Sequence, residues 1–283
     1  MKVTVAKSAG FCFGVKTAVD GLYNLLDSTN EKIYTFGPII HNENVISDFS
    51  DRGVRIIDSL DELKKIKGGI VVIRSHGVGK EVYDILASNN IQYKDLTCPF
   101  VKKIHHIVNK AGQSGRFVLV AGDSNHPEVA GILGWCDCDR MAINSLKEAK
   151  EFRYNHDKPI TMVSQTTFNH NKFKDMVEII TKKGYDMNVI DTICNATEER
   201  QREARELSSN VDTMLVVGSR NSSNTQKLFE VAGENCSKSY LIESWDDLDQ
   251  SALNGINSVG ITAGASTPNK IIEEVQNNVR RKF

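Results

Sequence analysis

Phe117-Val118-Leu119-Val120 is a short apolar run that ends at the small and polar residues Gly122-Asp123-Ser124. A continuous apolar run of this length is typical of a strand buried on both faces, as in a parallel sheet covered by helices. Three further runs have the same form, and a helix-like stretch follows each: Ile70-Val71-Val72-Ile73, Met214-Leu215-Val216-Val217 and Val259-Gly260-Ile261-Thr262. The alternation predicts an α/β fold with mostly parallel sheets.

The helix-like stretches include residues 16–26, 169–183 and 198–208. The last of these follows Thr197, and it opens with Glu198 and Glu199. A capping hydroxyl and early acidic residues favour the N-terminus of a helix. The sequence therefore predicts that this helix begins at about residue 198.

Three of the six cysteines recur at similar intervals, each after a strand-like segment and before a helix-like one: Cys12, Cys98 and Cys194. The interval is about the length of one small α/β unit. We therefore expect three pseudo-symmetric α/β units, residues 1–97, 98–193 and 194–283, packed around a shared centre. Because open α/β sheets bind ligands at the carboxyl ends of their strands, each unit would present one cysteine to that centre.

Composition excludes several classes of protein. The chain has 283 residues, 40% of them hydrophobic, which is the make-up of a globular protein with a core. With a formal net charge of −1, no basic field indicates binding to nucleic acid or to an anionic membrane surface. No signal peptide and no long apolar run is evident, so we expect a cytoplasmic protein.

Isolated cysteines in a reducing compartment indicate a metal site or buried thiols more than a disulfide framework. Structural zinc sites more often use close cysteine pairs. Three converging thiolates fit a [4Fe–4S] cluster in which one iron has no protein ligand and is able to act as a Lewis acid. The alternative is that the three thiols are buried packing residues. Cys136 and Cys138 form a weak C-x-C signal, and Cys236 is isolated.

Several predicted strand ends carry hydroxyl, amide or imidazole groups, the groups that bind phosphate oxygens near helix N-termini. Neither a P-loop nor a G-x-G-x-x-G motif accompanies them, which argues against an NTPase or a nicotinamide enzyme. Each segment alone is equally typical of a turn or a helix cap. The segments are Gly37-Pro38-Ile39-Ile40-His41-Asn42, Arg74-Ser75-His76-Gly77, His126-Pro127-Glu128, Ser164-Gln165-Thr166-Thr167, Asn221-Ser222-Ser223-Asn224 and Gly264-Ala265-Ser266.

His126-Pro127-Glu128 is the most specific of these segments, because the proline stiffens a turn that holds an imidazole close to a carboxyl group. Such a pair is suited to binding an anion and delivering a proton if enclosure tunes its pKa. Thr166 follows another predicted strand, and its hydroxyl would serve as a proton relay or as a helix cap.

These segments, together with Ala9-Gly10-Phe11-Cys12, Asp95-Leu96-Thr97-Cys98-Pro99 and Thr192-Ile193-Cys194, resemble the signature segments of the IspH (LytB) family, and they stand in the family's order along nearly the whole chain. The family comprises the 4-hydroxy-3-methylbut-2-enyl diphosphate reductases, which catalyse the last step of the non-mevalonate isoprenoid pathway. The resemblance implies a reductive dehydroxylation that yields isopentenyl and dimethylallyl diphosphate.

The resemblance also implies the roles of particular residues. Cys12, Cys98 and Cys194 would hold the [4Fe–4S] cluster, and the substrate hydroxyl would bind its open iron. Glu128 would supply protons together with Thr166 and His126. A ferredoxin or flavodoxin would donate the electrons. The residues implied to bind the allylic diphosphate are His41, His76, His126, Thr166, Ser222, Ser223, Asn224 and Ser266.

Two other functions remain open at this stage. The first is a three-cysteine cluster enzyme resembling quinolinate synthase, which would condense small carboxylates with loss of water. The second is a non-enzymatic iron–sulfur redox sensor, for which His126, Glu128 and the 221–224 turn would be dispensable.

Overall fold

The computed structural model describes residues 2–154 and 158–282. Over these ranges, strands and helices alternate as the apolar runs predict. Twelve strands form three four-stranded sheets, all with parallel pairing. The strands are β1 Lys2–Val5, β2 Ile33–Phe36, β3 Arg55–Ile57, β4 Ile70–Ile73, β5 Gln92–Asp95, β6 Phe117–Ala121, β7 Arg140–Ile143, β8 Ile160–Ser164, β9 Met187–Val189, β10 Thr213–Val217, β11 Ser239–Ile242 and β12 Ser258–Ala263.

The helices connect these strands, and the longer ones have one apolar face buried against a sheet. In the described ranges, none of them is both long and apolar enough to cross a bilayer. They are α1 Phe13–Ser28, α2 Glu43–Asp51, α3 Leu60–Lys64, α4 Lys80–Ser88, α5 Pro99–Gln113, α6 Pro127–Leu133, α7 Leu146–Glu151, α8 His170–Thr181, α9 Asn195–Ser208, α10 Ser223–Gly233 and α11 Asn269–Lys282, with 3-10 turns at Trp245–Asp247 and Gln250–Leu253.

The three sheets share one strand order, which confirms the prediction of three small α/β units. Sheet B is ordered β3-β2-β4-β5 and sheet C is ordered β7-β6-β8-β9. Sheet A, read from β11, is ordered β11-β10-β12-β1. In the three sheets β3, β7 and β11 lie at one edge, and the strand that leads to a cysteine, β5, β9 or β1, lies at the other. The position that β5 and β9 occupy is therefore taken in sheet A by the N-terminal strand.

This pairing corrects one predicted boundary. Residues 1–97 were expected to form a single unit, but Lys2–Val5 pairs in parallel with Ser258–Ala263 and completes sheet A. The apolar alternation of a short edge strand identifies a strand and not its partner, so the sequence could not assign β1 to the last unit.

By packing, the chain divides into two compact bodies. Body I comprises residues 1–15, 41–45 and 194–283 and contains sheet A, whereas body II comprises residues 16–40 and 46–193 and contains sheets B and C. The strands β6, β8 and β10 are buried along their whole length, as continuous apolar runs predict. The cores form because helices cover both faces of each of these central strands.

Candidate functional site

Cys12, Cys98 and Cys194 all lie in the same position relative to a strand and a helix. Each follows the edge strand of its sheet and directly precedes a helix, and Cys98 and Cys194 are the N-cap residues of α5 and α9. All three side chains are partly exposed. Since packing cysteines are usually buried, three partly exposed thiols in equivalent positions are better suited to metal ligation than to packing. Cys12 and Cys194 belong to body I and Cys98 to body II.

The start of α9 differs from the expected one by three residues. The helix begins at Asn195, and the Thr197 hydroxyl lies 3.2 Å from the Cys194 sulfur instead of capping the backbone. The N-cap residue of α9 is therefore Cys194 and not, as the sequence had indicated, Thr197.

The other three cysteines have different surroundings. The structure pairs the sulfurs of Cys136 and Cys138 with each other. Cys236 is buried, and its sulfur lies 3.6–3.8 Å from the carbonyl oxygens of Val211, Asp212 and Lys238. It is a packing residue at the end of α10.

Arg200 and Glu203 on α9 hold the loop that leads to Cys12. The buried Arg200 guanidinium donates to the carbonyl oxygens of Gly10 (2.8 Å) and Ala196 (3.0 Å). The Glu203 carboxylate accepts the backbone N–H groups of Lys7 (2.6 Å) and Ser8 (2.8 Å). Burial alone would raise the pKa of Glu203, but the hydrogen bonds from Ser8 and Lys7 outweigh it and lower the pKa. The helix after one cysteine thus fixes the loop before another.

Neither Arg200 nor Glu203 was singled out from the sequence. The buried face of α9 carries polar residues, Thr197, Arg200, Gln201 and Ser208, at helical spacing. On an otherwise charged helix such residues are indistinguishable from surface residues. Only the backbone groups that they reach, which lie far away along the chain, identify them.

Body I brings together the polar groups that follow β10 and β12. Ser222 caps α10 through Thr225 N, and the Ser266 hydroxyl donates to the carbonyl oxygen of His41 (3.1 Å) and lies 3.4 Å from the Ser222 hydroxyl. Asn224 Oδ1 accepts the backbone N–H of Ala265 (2.8 Å). These bonds fix the turn, and they place Ser222, Asn224 and Ser266 in one buried cluster at the N-terminus of an eleven-residue helix.

The amide nitrogen of Asn224 has no hydrogen-bond partner within the described ranges. The side chain is only 3% exposed, so an unmatched N–H₂ donor would cost on the order of 1–3 kcal/mol. Such a donor at a helix N-terminus, beside two hydroxyl groups, has the chemistry of an anion subsite. An acceptor oxygen supplied by a ligand would satisfy it.

Two glycines allow this close packing. At Gly218 the backbone φ is +145°, and a Cβ would lie 2.6 Å from the Thr267 hydroxyl oxygen. At Gly264 a Cβ would lie 2.0 Å from the Thr225 hydroxyl oxygen. A side chain at either position would push the two polar turns apart.

In body II, the segment after β6 fixes the orientation of His126. The imidazole caps α6, since its Nδ1 accepts the backbone N–H of Glu128 (3.1 Å). Because Nδ1 is an acceptor, the proton of the neutral ring is on Nε2. The ring of His76, which follows β4, lies 5.4 Å from the His126 ring at an interplanar angle of 78°. The structure therefore brings together two of the three histidines expected to bind phosphate, within body II.

Glu128 is the most perturbed acid at this site. It is 2% exposed, and its carboxylate accepts the backbone N–H of Thr166 (2.6 Å) at Oε1 and the Thr166 hydroxyl (2.8 Å) at Oε2. Burial raises its pKa to about 7, although the hydrogen bonds from Thr166 act in the opposite direction. A carboxyl group with a pKa near neutral is suited to donating a proton at neutral pH, and the Thr166 hydroxyl is bonded to its Oε2.

Fold and site together define a class of protein: a three-sheet parallel α/β protein with a cysteine after one edge strand of each sheet, buried hydroxyl and amide groups at a helix N-terminus, and a buried acid with a pKa of about 7. Within this class, the model of the LytB protein family matches residues 3–280. The chain belongs to the LytB family.

Named relatives agree with this assignment. A protein of Caldanaerobacter subterraneus subsp. tengcongensis, named 4-hydroxy-3-methylbut-2-enyl diphosphate reductase, is 41% identical over 281 residues, which is 99% of this chain and 97% of that protein. A protein of the same name from Thermoanaerobacter sp. (strain X514) is 43% identical with the same coverage.

Two solved structures have the same fold. The structure of E-1-hydroxy-2-methyl-but-2-enyl-4-diphosphate reductase from Plasmodium falciparum matches with a TM-score of 0.90 at 26% identity, over 99% of this chain and 87% of that one. A structure of (E)-4-hydroxy-3-methyl-but-2-enyl diphosphate reductase, described as the terminal enzyme of the non-mevalonate pathway, matches with a TM-score of 0.68 at 37% identity over the full length of both chains.

Proposed function

We propose that this chain is a cytoplasmic 4-hydroxy-3-methylbut-2-enyl diphosphate reductase, which forms isopentenyl and dimethylallyl diphosphate in the last step of the non-mevalonate pathway. The reaction replaces the allylic hydroxyl by hydrogen, consumes two electrons and two protons, and releases water. The observation that carries the proposal is Glu128, a buried acid with a pKa of about 7 held by Thr166. A redox sensor would have no use for such an acid.

Cys12, Cys98 and Cys194 would hold a [4Fe–4S] cluster. Their fit rests on the donor set: three thiols, each at a helix N-terminus, and each following an edge strand. When bound, the cluster supplies electrons and an iron without a protein ligand that activates the hydroxyl as a leaving group.

The diphosphate would be bound by amide, hydroxyl and imidazole donors. Asn224, Ser222, Ser223 and Ser266 would supply amide and hydroxyl groups, and the dipole of α10 would favour the negative charge. His41, His76 and His126 would donate ring N–H groups. Charge-assisted hydrogen bonds of this kind allow a nearly neutral protein to bind a multiply charged substrate. Binding at the diphosphate also orients the distant reacting carbon.

Glu128 would provide protons through Thr166. In the protonated acid, Oε2 donates to the Thr166 hydroxyl, which passes its own proton to the substrate side. The bond from Thr166 N to Oε1 (2.6 Å) keeps the carboxyl group in the orientation that this transfer needs. His126 would act beside this pair by binding the diphosphate.

The two electrons would come from a ferredoxin or flavodoxin. No G-x-G-x-x-G motif follows a strand, so we do not expect a nicotinamide cofactor to supply them.

Asn224→Asp tests the assigned substrate. The change keeps the acceptor for Ala265 N but replaces the buried amide donor by a charged oxygen, which repels a diphosphate. We expect KM for 4-hydroxy-3-methylbut-2-enyl diphosphate to rise by about 10- to 100-fold, as the loss of a hydrogen bond to a charged group implies, with a smaller effect on kcat. The measurement is anaerobic turnover of reconstituted enzyme with a chemical reductant.

Asn221→Asp is the matched control, because Asn221 is an exposed residue of the same turn and the charge change is identical. It should leave KM within a few-fold of the unaltered enzyme. Equal KM values in the two variants would contradict the assigned diphosphate subsite, and absence of both five-carbon diphosphate products from the unaltered enzyme would contradict the proposed function itself.

Arg200→Met tests the support of the cluster loops. The substitution removes the guanidinium bond to the carbonyl oxygen of Gly10, so the loop before Cys12 is held to α9 only by the bonds from Lys7 and Ser8 to Glu203. We expect iron to be lost to a chelator about tenfold faster than from the unaltered protein, with secondary structure retained. Arg202→Met, an exposed position on the same helix, should lose iron at the unaltered rate. Identical rates in both variants would leave Arg200 without this role.

A further inference from the structure

The outer face of α5 is basic and begins directly after Cys98. Its sequence, PFVKKIHHIVNKAGQ, contains no acidic residue. Lys102, Lys103, His106 and Lys110 are exposed along this face. On a chain with a net charge of −1, such a cluster is a local excess of positive charge and not part of a general field.

Part of this positive charge is unmatched. Lys102 forms an ion pair with Asp95 (2.8 Å), the acidic residue at the end of β5. Within residues 2–154 and 158–282, neither Lys103 nor Lys110 has an acidic side chain at ion-pairing distance. Unpaired lysines on one face attract an acidic partner over roughly a Debye length, about 10 Å at 0.1 M salt.

Beside these lysines lies an open groove of about 1000 Å³ with an aromatic floor. The buried or half-buried Tyr83, His105 and Trp135 form the floor. The exposed Lys102, Lys103 and Lys110 form the rim, and the lining also contains Asp95, the ion-pair partner of Lys102. The Trp135 ring stacks on His105 (5.3 Å between centroids, 19°), and its Nε1 donates to the carbonyl oxygen of Val78 (2.8 Å). Tyr83 packs against Trp135 at 5.5 Å. The floor is therefore a fixed array of rings.

The floor is close to the backbone that carries Cys98. Pro99, the next residue, lines the groove. The side chains of His105 and Thr97 both pack closely against Gly77. A Cβ at Gly77 would lie 2.6 Å from His105 Cε1 and 3.0 Å from Thr97 Cγ2. Since electron transfer slows steeply with distance, a carrier seated in this groove would stand near one of the proposed cluster ligands.

We propose that this groove is the docking site of an acidic flavodoxin-type electron carrier, an inference that rests on the proposed function and adds the location of its electron entry. The exposed edge of a flavin is flat and apolar, which suits the ring-lined floor, and acidic residues around a flavin complement the lysine rim. Exposed Phe100 (40%) and Tyr93 (47%) extend the apolar contact area beside the lysines. A small patch of this kind suits the brief encounters of electron transfer.

Each encounter passes one electron. A flavin hydroquinone is oxidised to the semiquinone, and two carrier molecules in succession supply the two electrons that the reduction consumes. The lysines therefore affect the rate of encounter and not the proton chemistry at Glu128.

The test is the double charge reversal Lys103→Glu with Lys110→Glu, in the reconstituted holoenzyme. With reduced flavodoxin as donor, we expect kcat/KM for the flavodoxin to fall by about tenfold or more at low salt, with a weaker dependence on ionic strength than in the unaltered enzyme. With dithionite and methyl viologen as donor, turnover should be unchanged. Lys147→Glu with Lys174→Glu changes the net charge equally on exposed positions of α7 and α8, outside the groove, and should have little effect.

The inference would be overturned by an unchanged kcat/KM for flavodoxin in the groove variant, or by an equal loss in the Lys147/Lys174 control. A loss seen with an acidic ferredoxin but not with flavodoxin would also overturn it, since the flavin carrier would then bind elsewhere. Lack of turnover with dithionite in the unaltered holoenzyme would instead contradict the proposed function, so the two failures are distinguishable.

Discussion

Replacing Glu128 with glutamine should lower kcat by about 10²- to 10⁴-fold, the range that positioned proton donors contribute. Glutamine matches the protonated acid in shape, accepts from Thr166 N, and donates to the Thr166 hydroxyl, so the buried site stays filled. It has no acidic proton to deliver. The measurement is turnover of the reconstituted enzyme with dithionite and methyl viologen, which makes the result independent of any protein donor.

Iron content and the affinity for isopentenyl diphosphate should be unchanged in this variant, because the Glu128 carboxylate is bonded to Thr166 and is not among the residues proposed to hold the cluster or the diphosphate. Glu151→Gln, at an exposed position of α7, provides the matched control and should have near-normal turnover. Near-normal turnover in Glu128→Gln as well would remove the acid role from this residue.

The pKa of Glu128 predicts how turnover depends on pH. Burial raises the pKa of Glu128 to about 7, and the protonated form is the donor. The competent fraction is therefore nearly complete below pH 6 and falls as pH rises through 7, so kcat should decline on the alkaline side. The glutamine variant should lack this decline. An increase of kcat from pH 6 to pH 8 in the unaltered enzyme would contradict the role of protonated Glu128 as the donor.

Replacing Cys98 with serine should abolish turnover, since a three-cysteine site has no spare ligand. A serine hydroxyl at the N-cap of α5 keeps the helix start, and serine is a good capping residue, so the fold of body II should survive. We expect iron and sulfide contents well below those of the unaltered protein, together with loss of the visible absorption of a cluster.

Cys236→Ser is the control for this substitution. Cys236 is equally a thiol, but it is buried among carbonyl oxygens at the end of α10. Its variant should retain the cluster and its activity. A full iron and sulfide complement in Cys98→Ser would remove Cys98 from the ligand set.

The sequence predicted the central strands and the α/β class well, because β6, β8 and β10 are buried on both faces and so are apolar throughout. It also predicted which polar turns end those strands. The edge strand β1 shows where sequence fails: its residues define a strand, whereas its partner β12 lies more than 250 residues away along the chain. Pairing over that separation depends on tertiary packing.

The sequence indicated which residues form the candidate site, but it did not indicate which hydrogen bonds those residues make. The turn holding Asn224 and the acid Glu128 stood out because hydroxyls, amides and carboxyls cluster after strands. The Asn224 amide nitrogen that lacks a hydrogen-bond partner and the bonds from Thr166 to Glu128 depend on side-chain positions. The spacing of these residues along the sequence does not fix those positions. Arg200 carried no signal at all, since its partner, the carbonyl oxygen of Gly10, is a backbone atom of a distant loop.

We expect Cys12, Cys98 and Cys194 to hold a [4Fe–4S] cluster at which an allylic diphosphate is reduced. The measurement that tests this is the iron and sulfide content of the protein purified without oxygen, with the visible spectrum recorded before and after adding 4-hydroxy-3-methylbut-2-enyl diphosphate. We predict a brown protein with iron and sulfide in about equal amounts, whose spectrum changes on adding the substrate. A colourless, iron-free protein, or a cluster whose spectrum ignores the substrate, would contradict this account.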